Sequence, residues 1–373
     1  MTESLGVLVF AVSLLIVVMI HESGHFFTAK AFKIKVEEFF VGFGPRLWSI
    51  RRGETEYGVK ALPFGGYVRI AGMNPFQEVT PEEYLRTFAA KPIWQRVVVI
   101  ATGPVTHFVM AIVFLSIFFM AIGVRTPNRP IIDEVQTQLD GRPSPAAVAG
   151  LRKGDEVVAV DGRPVGNLDR FIAFTRARPG QSITLTVKRQ GRLLFVHVTP
   201  VLSNIDRKEV GRLGVILDEA KQRAGLLTSI GRAGIQIGSL VKAIFVRLGD
   251  IFGPAGLKRI GQLLSGAPRR ADDPTSIVGG ARIAGQAAKA GLWDGLFEEL
   301  VVFNVFVGIL NLIPLPPLDG GHLAILAYEK LTRRQPDVRK LVPLTALVAG
   351  FMILFVISLV YLDIVRPLPN PFQ

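Results

Sequence analysis

His21, Glu22, Ser23, Gly24 and His25 form an HExxH string. In a helix, residues four apart share a face, so both imidazoles can reach one zinc ion while Glu22 beside them serves as general base toward the water that the metal activates. The string ends an apolar run over residues 5–20, built mostly of Leu, Val, Ile, Ala and Phe. Ionisable groups in such a setting are costly and are kept for function. The competing reading is a pair of histidines satisfied by hydrogen bonds in a packed bundle. A zinc site with two His ligands needs a third protein ligand and an open position. With no Cys in 373 residues, that ligand must be another His or a carboxylate. A second constellation offers one: Asn311, Leu312, Ile313, Pro314, Leu315, Pro316, Pro317, Leu318, Asp319, Gly320, Gly321, His322. Its prolines and glycines interrupt an apolar helix at membrane depth, which is tolerated only where the backbone is buried in protein or lines a polar cavity. Asp319 sits at that break as candidate third ligand. Spacing alone leaves open that Asp319 caps the following helix and that His322 is the ligand instead.

The elements that must position these groups are membrane helices. The chain is 49% hydrophobic with mean hydropathy +0.40, too apolar for an ordinary soluble protein of this length. Four spans are expected, over about residues 5–27, 97–124, 296–313 and 344–362. The first run lacks a preceding Lys or Arg and a small-residue cleavage site, so it does not read as a signal peptide. Lys30, Lys33, Lys35, Arg46, Arg51 and Arg52 follow the first span, and Lys330, Arg333, Arg334, Arg339 and Lys340 precede the last. Short basic loops stay cytoplasmic, which places the chain's long central segment outside and the HExxH string near the cytoplasmic face. The net charge is +13, but the basic residues are scattered among apolar segments rather than gathered beside aromatic stacking positions, so no nucleic-acid partner is expected.

Between the spans the patterns change. Tyr57, Val59 and Ala61, then Tyr67, Val68 and Ile70, with Pro63, Gly65 and Gly66 between, read as a short β-hairpin over residues 57–72. Residues 128–202 have the punctuation of a soluble module, and their run Gly150, Leu151, Gly154, Asp155, Val157, Val160, Asp161, Gly162 resembles a PDZ domain. Residues 229–264 read as an amphipathic helix, either soluble or lying in the membrane interface, and their basic residues favour the interface. Residues 266–291 read as a Gly/Ala/Arg-rich linker without a clear element. The expected fold is a polytopic α-helical membrane protein of about four transmembrane helices, with a membrane-associated β-hairpin and an inserted PDZ-like α/β domain. Its parts are a membrane core at 1–127, the PDZ-like domain at 128–202, an interfacial region at 203–295 and a second membrane core at 296–373.

HExxH in the first span, a PDZ-like insert and NxxPxPxLDGG in a later span together resemble the site-2 protease family, in particular its bacterial regulator-of-sigma-E type. The stretches at 41–48 (VGFGPRLW), 60–73 (KALPFGGYVRIAGM) and 279–291 (GGARIAGQAAKAG) extend the likeness over nearly the whole chain. The resemblance implies an intramembrane zinc metalloprotease with His21, His25 and Asp319 on zinc, Glu22 as base, and Asn311 holding the substrate backbone. It also implies a membrane-embedded hairpin, whose Tyr67, Val68, Arg69 and Ile70 would pair with an unwound substrate. The implied substrates are single-span membrane proteins, such as anti-sigma factors after a first extracytoplasmic cut, or signal-peptide remnants. The implied location is the bacterial cytoplasmic membrane. Two departures stand out: His107 occupies a position where the family usually has Asn, and Gly279, Gly280, Ala281, Arg282 replace a Gly-Pro-Val-Gly stretch. The rival classes are a non-enzymatic PDZ-containing adaptor with a structural metal site, against which Glu22 speaks, and an ion transporter, which would spread polar groups over several spans.

Overall fold

The apolar run at the N-terminus continues straight through the HExxH string as one helix, α1 (Thr2–Ala31). In the computed structural model, which describes residues 2–74, 77, 79–205, 208–334 and 337–371, the chain forms two compact units, one of Met1–Leu115 with Ile230–Gln373 and one of Ser116–Ser229. After α1 come β1 (Val36–Arg52), β2 (Thr55–Ile70) and α2 (Ile93–Ala121). The central unit holds β3 (Val124–Val135), β4 (Gln138–Leu139), β5 (Arg142–Pro143), α3 (Pro145–Val148), β6 (Glu156–Val160), β7 (Arg163–Pro164) and α4 (Leu168–Arg176). It continues with β8 (Ile183–Arg189), β9 (Arg192–Val198), β10 (Val201–Ile205), β11 (Lys208–Arg212) and β12 (Val215–Gln222). Then follow α5 (Leu226–Phe252), α6 (Pro254–Leu264), α7 (Ile277–Lys289), α8 (Trp293–Asn311), α9 (Asp319–Thr332) and α10 (Val342–Val365).

Among the described residues three helical segments are long and apolar enough to cross a membrane: Thr2–Ala31, Ile93–Ala121 and Arg339–Val365. The chain is a membrane protein with an inserted β-sheet unit. The third span expected from sequence corresponds to α8, whose 19 residues begin with Asp294, Glu298 and Glu299 and therefore fall short of the same apolar standard.

The β-structure beside α1 differs from the expected hairpin. Residues 57–59 and 66–70 do not pair with each other. Both pair with the same stretch of β1: Phe39 lies opposite Tyr57 on one side and Val68 on the other, and Phe40 opposite Gly58 and Tyr67. The tight turn lies at Gly53 instead, in a left-handed conformation at φ +61, and the second half of β1 pairs back on residues 55–59. A local alternation pattern cannot reveal that a third segment inserts between two candidate strands, because the partner is set by long-range register. The sheet is fastened to α1 just past the HExxH string, where the Phe26 ring meets Phe39 and Tyr57 at centroid distances of 5.1 and 5.9 Å.

Residues 266–291 are also more ordered than their composition suggests. Most of their second half is α7, with Gly279, Gly280, Ala284, Gly285, Ala287 and Ala288 buried. Glycine and alanine look like linker residues when helices are recognised by large apolar side chains, yet small residues are what let helix backbones approach closely in a membrane. Here α7 lies along α1, with Phe10 buried against Ala284, Ala287 and Leu296. The far end of the bundle is joined by Arg96 of α2, whose guanidinium donates to both oxygens of Glu329 on α9 at 3.0 and 2.6 Å. A buried core of Ala29, Ile34, Val36, Ile70, Val99, Ile100 and Leu326 ties α1, β1, β2, α2 and α9 together there.

The central unit extends past residue 202. Its main sheet runs β12-β3-β6-β8-β9 with β7 on β6, so β12, in a stretch that reads as an interfacial region, completes the sheet as its edge strand. Ile183, Leu185 and Val187 alternate inward along β8 and are 1, 0 and 0% exposed. The Gly154–Asp155 pair makes a structural contact: the buried Asp155 carboxylate accepts from the Arg152 amide at 2.9 Å and from Arg189 Nε and Nη2 at 2.7 Å each. Burial works to raise this carboxyl, and the Arg189 and Arg152 donors outweigh it, holding it below its ordinary value of 3.8. A depressed folded-state pKa contributes stability that is present above the ordinary value and is lost as pH falls through the lowered one. Asp155→Asn is expected to destabilise the unit by roughly 3 kcal/mol, since it leaves Arg189 without its counter-charge. Thermal melts of the full chain in detergent should show this deficit at pH 7 and its disappearance under strongly acid conditions.

Candidate metal centre and active site

Helix α1 places His21 and His25 one turn apart on a face covered by α2, and both are buried, at 7 and 5% exposure. Asp319 is the first residue of α9, reached through the Pro-rich segment after α8. It does not cap that helix. The flanking Leu318 makes no side-chain cap hydrogen bond, and Asp319 Oδ2 is buried with no hydrogen-bond partner among the described residues, facing the two histidines instead. The helix N-terminus favours a carboxylate at this point. Gly320 and Gly321 permit the arrangement: a Cβ at Gly320 would lie 2.3 Å from the carbonyl oxygens of Leu312 and Ile313, and one at Gly321 would lie 2.3 Å from Pro316 N.

Three atoms converge. His21 Nε2 lies 3.2 Å from His25 Nε2, and Asp319 Oδ2 lies 3.3 and 3.4 Å from the two nitrogens. His25 Nδ1 donates to the Val99 carbonyl at 2.8 Å, so a neutral His25 turns an unprotonated Nε2 toward the group. A carboxylate oxygen and a lone-pair nitrogen therefore face each other, and one proton on His21 could satisfy only one of them. A cation satisfies all three. A tetrahedral ion with bonds of about 2.0–2.1 Å sets its ligand atoms about 3.3–3.4 Å apart, which the observed spacings match. Among the described residues this is the group of three able to hold a metal. His322, the rival ligand, is not part of it; it lines a separate cavity of about 520 Å³ with Glu37, Val68, Arg69, Ile70, Met73, Asn74 and Gln77.

The other residues singled out by sequence divide between two places. Glu22 and Asn311 line a cavity of about 250 Å³ together with His21, Asp319 and His107. Val68 turns its amide out of the sheet, donating to Glu22 Oε2 at 3.1 Å, so the edge segment 66–70 runs directly beside Glu22. Val68, Arg69 and Ile70 line the larger cavity. Tyr67 does not; its hydroxyl donates to Glu38, which also pairs with Arg69 at 2.9 Å. Two residues of the site escape the sequence reading. Asn304 of α8, 1% exposed, is bonded to His107, and Gly103 of α2 faces the ligand nitrogens, where a Cβ would lie 2.2 Å from His25 Nε2. Nothing about an Asn or Gly within an apolar run distinguishes such a role before the helices are assembled.

The model of peptidase family M50 matches residues 9–357. The chain belongs to peptidase family M50. The zinc metalloprotease Rip1 of Mycobacterium tuberculosis is 33% identical over 407 aligned positions, covering 97% of this chain and 98% of the relative. Rip1 of Mycolicibacterium smegmatis is 33% identical over 409 positions and 99% of both chains, and the metalloprotease MmpA of Caulobacter vibrioides is 30% identical over 361 positions, 88% and 89% of the two. This chain is thus an enzyme, an intramembrane metalloprotease of the site-2 type, and the adaptor reading falls. Gly103→Ala is expected to force His25 out of the ligand group and strip the purified protein of its metal while leaving it helical. Elemental analysis beside circular dichroism checks this, with Gly261→Ala, where a Cβ has open space, as the control.

Proposed function

We propose that this protein hydrolyses a peptide bond within the transmembrane segment of single-span membrane proteins, using zinc held by His21, His25 and Asp319. The observation that carries the reading is the convergence of three acceptor atoms at tetrahedral spacing beside Glu22 and an open strand edge. Zinc in that group supplies Lewis acidity toward a carbonyl and lowers the pKa of water at its open position. Glu22 takes the proton of the attacking water and returns it to the leaving amine. With Oε2 held by the Val68 amide, Oε1 is the oxygen left to do so. Asn311, in the same cavity, supplies an amide that can hold substrate backbone. A helical substrate must unwind before its carbonyls are reachable, and pairing with segment 67–70 offsets that cost by replacing the lost hydrogen bonds.

The proposal includes four spans, with α8 as the third, the cytoplasmic membrane as location, and a PDZ-like central unit outside the cytoplasm. Helix α8, 19 residues long, runs about 28 Å, close to the thickness of a hydrocarbon core. In favour of the PDZ-like reading, α4 and edge strand β12 flank a groove of about 250 Å³ lined by Phe171, Thr175 and residues 211–215, an arrangement suited to strand addition. Anti-sigma factors already trimmed outside the membrane, and signal-peptide remnants, are the substrate classes that fit a site reached only by unwound membrane helices.

Co-expression with a tagged single-span membrane protein tests the reading. Glu22→Gln is expected to keep its zinc and lose roughly 10²-fold or more in cleavage. Asp319→Ala should lose zinc and cleavage together, because two neutral imidazoles make a poor site, whereas His322→Ala should keep its zinc. Full zinc and full activity in Asp319→Ala would refute the proposed site. For topology, cysteines placed singly at positions 170 and 334 of this Cys-free chain are expected to be reached and protected, respectively, when intact cells meet an impermeant thiol reagent.

A further inference from the structure

His107 is fully buried in α2, and its surroundings fix its tautomer. Asn304 Nδ2 donates to the His107 carbonyl at 2.7 Å, which orients the amide and turns Asn304 Oδ1 toward His107 Nδ1, also at 2.7 Å. An amide oxygen only accepts, so His107 Nδ1 carries a proton and the neutral ring presents a lone pair at Nε2. That Nε2 is buried, has no partner among the described residues, and belongs to a side chain lining the cavity of His21, Glu22 and Asp319. On the neighbouring ring, His21 Nδ1 is likewise buried and without a partner among the described residues. Once His21 Nε2 is committed to a metal, Nδ1 must carry the proton, and it becomes a buried donor in need of an acceptor. The ring centroids of His21 and His107 lie 5.0 Å apart at an interplanar angle of 39°; the two nitrogens are not bonded to each other in this arrangement, but the separation is about that of two imidazoles joined by one N–H···N bond of about 2.9 Å.

We infer that His107 is a positioning residue of the metal centre: when His21 Nε2 is held by a metal, His107 Nε2 accepts the Nδ1–H of His21, completing a chain Asn304–His107–His21 that holds the ligand in its metal-binding tautomer. The inference rests on the proposed zinc site. An Asn at 107 reaches Asn304, but it ends short of His21.

The test is zinc affinity of the purified full-length protein, measured by competition with a chromophoric chelator, with the melting temperature of the metal-free protein as folding control. His107→Asn preserves the contact with Asn304 and removes the acceptor; it is expected to bind zinc about 10- to 100-fold more weakly with the metal-free melting temperature unchanged. His107→Gln places an amide oxygen near the position of Nε2 and is expected to restore most of the affinity. His107→Phe keeps the ring volume and should bind as weakly as His107→Asn. Wild-type affinity in both His107→Asn and His107→Phe overturns the inference while leaving the zinc site intact. Equal weakness in His107→Gln and His107→Phe also overturns it, since an acceptor near the position of Nε2 then restores nothing. A wild-type protein that binds no zinc, or binds it equally well as His21→Ala, defeats the underlying site instead.

Discussion

Three acceptor atoms held within 3.4 Å of one another inside an apolar bundle repel one another unless a cation lies among them. In water such a cluster would be screened and could spread apart. At membrane depth it cannot, because the backbone and side chains around it are fixed by packing and no bulk solvent competes. Much of the fold serves to hold that arrangement. Helix α1 supplies two atoms through its own pitch, while α9 must be brought to the same point from a distant part of the chain. The Arg96–Glu329 pair and the shared core around Leu326 fix α9 against α2 at one end, and the close approach at Gly320 and Gly321 fixes its start at the other.

Close approach is the means by which helices with few large contacts cohere here. In a membrane there is little hydrophobic drive between apolar helices, so contact depends on how near the backbones come. The small residues of α7 meet α1 in this way, and Gly103 and Gly24 let α2 and α1 meet around the histidines. The same spacing that makes room for an ion leaves no room for a methyl group. Catalytic geometry and helix packing are thus one constraint at these positions.

The sheet segment beside Glu22 shows a different economy. An edge strand in a soluble protein invites aggregation and is usually blunted. Here the edge at 66–70 faces Glu22, and under the proposed function an unwound substrate is the strand it lacks. Its inner side is satisfied by β1, with Phe40 and Tyr67 stacked at 5.8 Å, so the outer hydrogen-bonding groups are held in place rather than free to collapse.

The chemistry was legible in the sequence because it rests on local rules. Four-residue spacing places His21 and His25 on one helical face whatever surrounds them, and Glu22 beside them is the candidate base. The Pro/Gly break around Asp319 likewise declares irregular backbone at membrane depth, and the family resemblance carried by these motifs stands on the match to peptidase family M50. Tertiary structure decided what spacing cannot. It brought Asp319, and not His322, within reach of the two histidines, since the two residues are close in sequence but face different cavities. It inserted β1 between two segments that look like partners, because strand pairing is set by long-range register. It made a helix of the Gly/Ala-rich residues before α8, whose small side chains suit close packing against α1 but give little apolar pattern to read. It also joined Asn304 to His107, two residues 197 positions apart, whose shared role exists only where α2 and α8 meet.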